Sequence, residues 1–161
     1  MSLKNQRRRS DRWHGASQKV GQSAAPLFLD RIDIQCEITP VPFKDISKAA
    51  QGEPSAEIRK RVIRAREIQA EHFSGQKGIH CNAQMSERMI HQYAEPDEAG
   101  ISMLRMAMER LSLSARAYNR ILKVARTIAD LEGCEHVESH HLAEAIGYRT
   151  LDRGDWAERG V

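Results

Sequence analysis

A chain of 161 residues, 40% hydrophobic and 29% charged, is the size of one ordinary globular domain and too short for two comfortable ones. Only eight residues are Phe, Trp or Tyr and β-branched runs are scarce, which argues against a sandwich or barrel. No stretch approaches the roughly 18 consecutive apolar residues of a membrane-spanning helix, and the basic start has no apolar run behind it, as a secretory leader would. Three widely spaced cysteines, Cys36, Cys81 and Cys134, predict free thiols in a reducing compartment. The expectation is a helix-rich cytoplasmic protein with no membrane contact.

The net charge of +3 is unevenly spread. In residues 1–20, Lys4, Arg7, Arg8, Arg9, Arg12 and Lys19 oppose Asp11 alone, giving +5 and leaving −2 for the rest. Residues 1–26 lack periodicity and read as a basic, disordered linker or an appended segment; such an arm can also touch nucleic acid. Regular patterning begins at Leu27. From Arg31 to Ile38 apolar and polar residues alternate, the period of a half-buried strand, and Thr39-Pro40-Val41-Pro42 stops it. No second strand of that quality follows, so its partners lie in another segment or another molecule.

Helical periodicity then takes over. Pro54 and Ser55 open a long charged helix to about Phe73, with Ile58, Val62 and Ala65 on one stripe and Glu57 facing Arg61. Gly75 to Gly78 is a loop. Ser86 starts a short helix through Tyr93, and Pro96-Asp97 opens the next, with Leu104, Ala107, Met108 and Leu111 facing inward. The strongest element runs from Ser114 as N-cap to Gly133 as stop, carrying Tyr118, Ile121, Leu122, Ala125, Ile128 and Ala129 at helical spacing. Val137 and Ser139 start a last helix with Leu142, Ala145 and Ile146. After Arg149 the tail is polar and aperiodic.

Chemistry-bearing motifs are few. Cys134-Glu135-His136 with His140 and His141 gathers metal-binding residue types but lacks the paired ligand sets of a zinc site; the expectation is no metal. There is no G-x-S-x-G, no activated cysteine and no G-x-x-x-x-G-K-[ST] phosphate loop. Two arginines stand apart. Arg31 sits between Asp30 and Asp33 at the start of the alternating segment. Arg116 follows the cap of the strongest helix, where free N–H groups and positive potential favour phosphate. Each also reads as an ordinary surface arginine paired with a nearby acid.

The segments Leu27-Phe28-Leu29-Asp30-Arg31-Ile32-Asp33-Ile34, Gly52-Glu53-Pro54-Ser55-Ala56-Glu57-Ile58-Arg59 and Cys81-Asn82-Ala83-Gln84-Met85 extend the pattern. They are followed by Leu113-Ser114-Ala115-Arg116-Ala117-Tyr118-Asn119-Arg120-Ile121-Leu122, Val124 to Leu131, and His141 to Ile146 with Tyr148-Arg149. In this order they resemble the magnesium-chelatase-like AAA+ ATPases of the bacterial competence protein ComM (YifB) type, over about residues 27–152. The resemblance implies the carboxy-terminal part of such an ATPase: residues 27–50 a remnant of the α/β core with its strand, 51–152 a helical lid of about five helices, and 153–161 a tail. The fold is therefore expected to be mostly α. The resemblance further implies that Arg31 is an arginine finger acting in trans and that Arg116 is the sensor 2 residue. ATP and Mg²⁺ would be bound through an upstream core, in a homo-oligomeric, hexameric ring acting on DNA. This chain, without a phosphate loop, would be inactive alone. A rival reading takes Met108 to Ala125 as a helix-turn-helix with Arg116, Tyr118, Asn119 and Lys123 facing DNA. A third takes the lid as a protein-interaction domain only.

Overall fold

The computed structural model describes residues 31–36, 38 and 52–149. The linker assigned to 1–26, most of 27–50 and the tail lie outside the described residues. The described part is a bundle of five α-helices: α1 (Ser55–His72), α2 (Glu87–Tyr93), α3 (Glu98–Leu111), α4 (Ala115–Glu132) and α5 (Ser139–Gly147), with one 3₁₀ turn at Asn82–Gln84. The mostly α expectation is met, and each helix starts within a residue or two of its signal.

Local chemistry explains those boundaries. Ser114 accepts from the Ala117 N–H (3.1 Å), satisfying an otherwise orphaned donor at the start of α4. Gly133 ends the helix at φ +76°, a left-handed conformation that glycine adopts without a Cβ clash. Asp97 caps α3 through the Gly100 N–H (2.7 Å). Gly100 has a second role, because a Cβ there would meet Leu142 Cδ1 at 2.6 Å and Pro96 Cβ at 2.7 Å. Its missing side chain is what lets α3 approach α5.

α4 is the centre of the bundle. Ile121, Leu122, Ala125, Ile128 and Ala129 are buried, as their spacing predicts, with Tyr118 half-buried beside them. α1, α2, the 3₁₀ turn and α5 pack on α4, while α3 packs chiefly on α5. Phe73, Met85, Met89, Ile90, Val137 and Leu142 complete the apolar cluster. Burying such side chains is worth roughly 1.5–3 kcal/mol each, far more than any surface ion pair contributes.

Three expectations change. On α1 the stripe was drawn through Ile58, Val62 and Ala65, yet Ile58 and Val62 are exposed, and only Ala65 and Gln69 are buried. The apolar spacing is helical, but the first half of α1 runs past the bundle. Nor do Glu57 and Arg61 pair: Glu57 meets Lys60 (2.7 Å), and Arg61 reaches both oxygens of Glu53 (2.5 and 2.9 Å). The alternation at 31–38 forms no strand among the described residues. The segment is instead held by one backbone bond, Gln35 N–H to Tyr148 O (3.1 Å), and by two arginines. Without a neighbouring strand, a period of two cannot become a ladder.

Candidate functional site

Arg31 is exposed in a turn, and Arg116 is exposed in the first turn of α4. A third arginine ties the Arg31 segment to α4. Arg120 Nη1 donates to the Arg31 carbonyl and to Asp33 Oδ1, the latter at 2.5 Å. Arg120 stands one helical turn after Arg116, and residues four apart share a helix face. The backbone that bears Arg31 is thus fastened to the helix that bears Arg116. Deeper in, Arg149, only 1% exposed, donates through Nη1 to the Ile32 carbonyl. Sequence reasoning quoted Arg120 and Arg149 without giving either a role.

A polar network inside the bundle was missed entirely. Arg126 and Asp130, 1% and 0% exposed, pair at 2.8 Å across one turn of α4. Asp130 Oδ2 also accepts from Gln69 Nε2 of α1 (3.1 Å) and from Asn82 Nδ2 of the 3₁₀ turn (2.6 Å). Arg126 reaches the carbonyls of Glu135 (2.7 Å) and Cys134 (2.5 Å) beyond the end of α4. Buried charges persist only when paired and hydrogen-bonded, and here one pair ties α1, the 3₁₀ turn and the α4–α5 connection together. Arg126 also lines a cleft of about 720 Å³ with His72, Tyr93 and Glu138; neither Arg31 nor Arg116 lines it.

The histidine-rich start of α5 resolves into a clamp. Cys134 and His136 do not join it; Glu132, His140 and His141 do, within 4.8 Å of one another. A carboxylate only accepts, so both imidazoles direct an N–H at Glu132 Oε2, His140 Nε2 at 2.9 Å and His141 Nε2 at 3.1 Å. His141 Nδ1 accepts from the Glu138 N–H (2.9 Å), which fixes the ring proton on Nε2. Both His141 nitrogens are therefore engaged, one in capping α5 and the other in binding Glu132. The clamp titrates. Its hydrogen bond to Glu132 raises His140 above the usual histidine range, and the two histidines hold Glu132 below the usual carboxylate range. The His140 contribution is complete below its unfolded value near 6.5 and is lost as pH rises through the higher folded value. The Glu132 contribution is complete above its unfolded value of 4.5 and fades as pH falls through the lower folded one. Melting temperature should thus be highest between those unfolded values and fall as pH rises above 6.5. Glu132→Gln should flatten that fall, and added salt should shrink it, because the groups are exposed.

The helix-turn-helix reading fails on packing. α3 and α4 are adjacent in sequence, but α3 lies on α5, so the two do not form the required pair. Tyr118 packs on the core, and Lys123 Nζ donates to the Ala83 carbonyl (2.9 Å). Burial pushes the Lys123 ammonium below the usual lysine range. No described helix is long and apolar enough to cross a membrane.

Comparison with known proteins decides the family. Residues 52–149 match the family described as magnesium chelatase, subunit ChlI C-terminal. The chain belongs to that family. It is 40% identical over 127 residues to the competence protein ComM of Haemophilus influenzae, and 42% identical over 127 residues to the protein YifB of Salmonella typhimurium. It is 33% identical over 130 residues to protein Mb2921c of Mycobacterium bovis. These stretches cover 78%, 78% and 81% of this chain, but only 24%, 24% and 25% of the relatives. The chain thus spans about a quarter of their length. The magnesium chelatase C-terminal match coincides with the five-helix bundle and its connections, and the capped ends of α4 fall inside it.

Proposed function

We propose that this chain supplies the end of the nucleotide-binding core, residues 27–50, and the helical lid, residues 51–152, of a ComM-like AAA+ ATPase. Arg31 is its arginine finger, reaching the nucleotide of the adjacent subunit, and Arg116 is its sensor 2 residue. The intact enzyme is a homo-oligomeric, hexameric ring that couples hydrolysis of ATP with Mg²⁺ to work on DNA. The observation that supports the reading is the Arg120 clamp, which fastens the Arg31 backbone to α4, the helix whose first turn carries Arg116. The residues present fit a phosphate: Arg116 adds a guanidinium to the N-terminal turn of a helix 18 residues long, where the backbone dipoles already favour an anion.

The chemistry divides accordingly. Mg²⁺ neutralises phosphate charge when bound, and the groups for that task lie outside this chain, which has no phosphate loop. Arg116 draws α4, and with it the bundle packed around α4, toward the phosphates. Arg31 places a permanent positive charge where negative charge builds up in the transition state. Alone, the chain should not hydrolyse ATP above background.

The test joins residues 27–149 to the nucleotide-binding core of the Haemophilus relative. Arg116→Ala should weaken ATP binding and lower turnover together, each by about tenfold, with Arg116→Lys in between because a point charge replaces the planar fork. Affinity and turnover equal to the parent in Arg116→Ala would remove the sensor role.

A further inference from the structure

The Arg31 segment has no helix or strand of its own among the described residues, yet it is held at three places. Arg120 Nη1 binds the Arg31 carbonyl and the Asp33 carboxylate, Arg149 Nη1 binds the Ile32 carbonyl, and the Tyr148 carbonyl accepts from the Gln35 N–H (3.1 Å). Each of these anchors belongs to α4 or to the residues just after α5. The Arg120 side chain is 23% exposed, so its charge-assisted bonds are only partly screened by water. α4 cannot yield independently, because its inner face is the core of the bundle.

We propose that Arg120 is a positioning residue for Arg31: it locks the Arg31 backbone to α4, so that the lid and Arg31 move as one body. A phosphate that engages Arg116, one turn away on the same helix, then sets whether Arg31 is presented to the adjacent subunit. The nucleotide in one site thereby controls the charge offered to the next. This inference rests on the nucleotide reading of Arg31 and Arg116. Its physical content is mechanical. A rigid helix transmits a displacement along its length, and a carbonyl clamped by a guanidinium follows it. Asp33 completes the clamp by fixing the orientation of the Arg120 fork. Arg149 and Tyr148 hold the following residues, so the segment is fastened along its length rather than at a single point.

The first measurement uses the full chain. Hydrogen exchange at the Gln35 amide should quicken about tenfold in Arg120→Met, which keeps the stem and removes the donors. Arg120→Lys, which restores charge and donors, should return exchange to within about threefold of the wild type. Equal exchange in Arg120→Met and wild type would overturn the clamp. The second measurement uses the chain joined to the Haemophilus core. Arg120→Met should lower kcat with KM for ATP unchanged, because a displaced Arg31 weakens only the transition state, and Arg120→Lys should recover much of the rate. A kcat equal to the parent in Arg120→Met, with Arg31→Ala inactive, would overturn the positioning role and leave the finger standing. Full turnover in Arg31→Ala would overturn the finger itself and this inference with it.

Discussion

Asp130→Ala should destabilise the isolated chain by about 3–5 kcal/mol in urea unfolding, a large fraction of the roughly 5–15 kcal/mol that holds a typical domain. The cause is what remains behind rather than the carboxylate that is lost. Arg126 would keep its charge in a position 1% exposed, with its nearest anion gone. Gln69 Nε2 and Asn82 Nδ2 would lose their acceptor at the same moment, and each buried orphan costs about 1–3 kcal/mol. Arg126→Met should be milder, because its stem still fills the space and the buried Asp130 keeps the Gln69 and Asn82 donors. The double variant Arg126→Met/Asp130→Ala should then be more stable than Asp130→Ala alone, a coupling that a double-mutant cycle reads directly. A simple sum of the two single losses would show that the pair is not one unit.

Why this network escaped the sequence is instructive. Helix boundaries were legible because caps and stops are local: Ser114, Asp97 and Gly133 act on backbone groups within a few residues. The core face of α4 was legible because its apolar period is unbroken. Arg126 and Asp130 lie directly beside Ala125 and Ala129, and a charged pair four apart at the margin of an apolar stripe was the available signal. Their partners Gln69 and Asn82, however, come from 61 and 48 residues away, and no local pattern announces such a meeting. The same holds for Arg120 and Asp33, 87 residues apart. The exposed first half of α1 shows the opposite error: Ile58 and Val62 have helical spacing, but spacing cannot say where the bundle ends. Arg31 and Arg116 stood out by flanking acids and by a helix start, but their proposed roles came from family resemblance, since composition alone leaves them as two cations among 25.

In the joined enzyme, Arg31→Ala should reduce ATP turnover by about 10³-fold or more while leaving ATP binding nearly intact. The asymmetry follows from where the charge is needed. In the proposed reading, ground-state nucleotide is held by the core and by Arg116, whereas a finger meets charge that develops only as the phosphoryl group leaves. Because the proposed finger would act across an interface, mixing separates it from every residue that acts within its own subunit. A subunit carrying Arg31→Ala should silence the wild-type neighbour whose nucleotide it faces, yet its own site should still turn over when a wild-type Arg31 reaches it. Activity in mixed rings should therefore fall with the fraction of interfaces lacking the arginine, rather than with the fraction of altered subunits that bind ATP. Arg116→Ala subunits should follow a different course, since their loss includes nucleotide affinity. If uniform Arg31→Ala rings hydrolyse ATP at the parent rate, the residue is a surface cation beside Asp33, and the clamp built by Arg120 serves the fold alone.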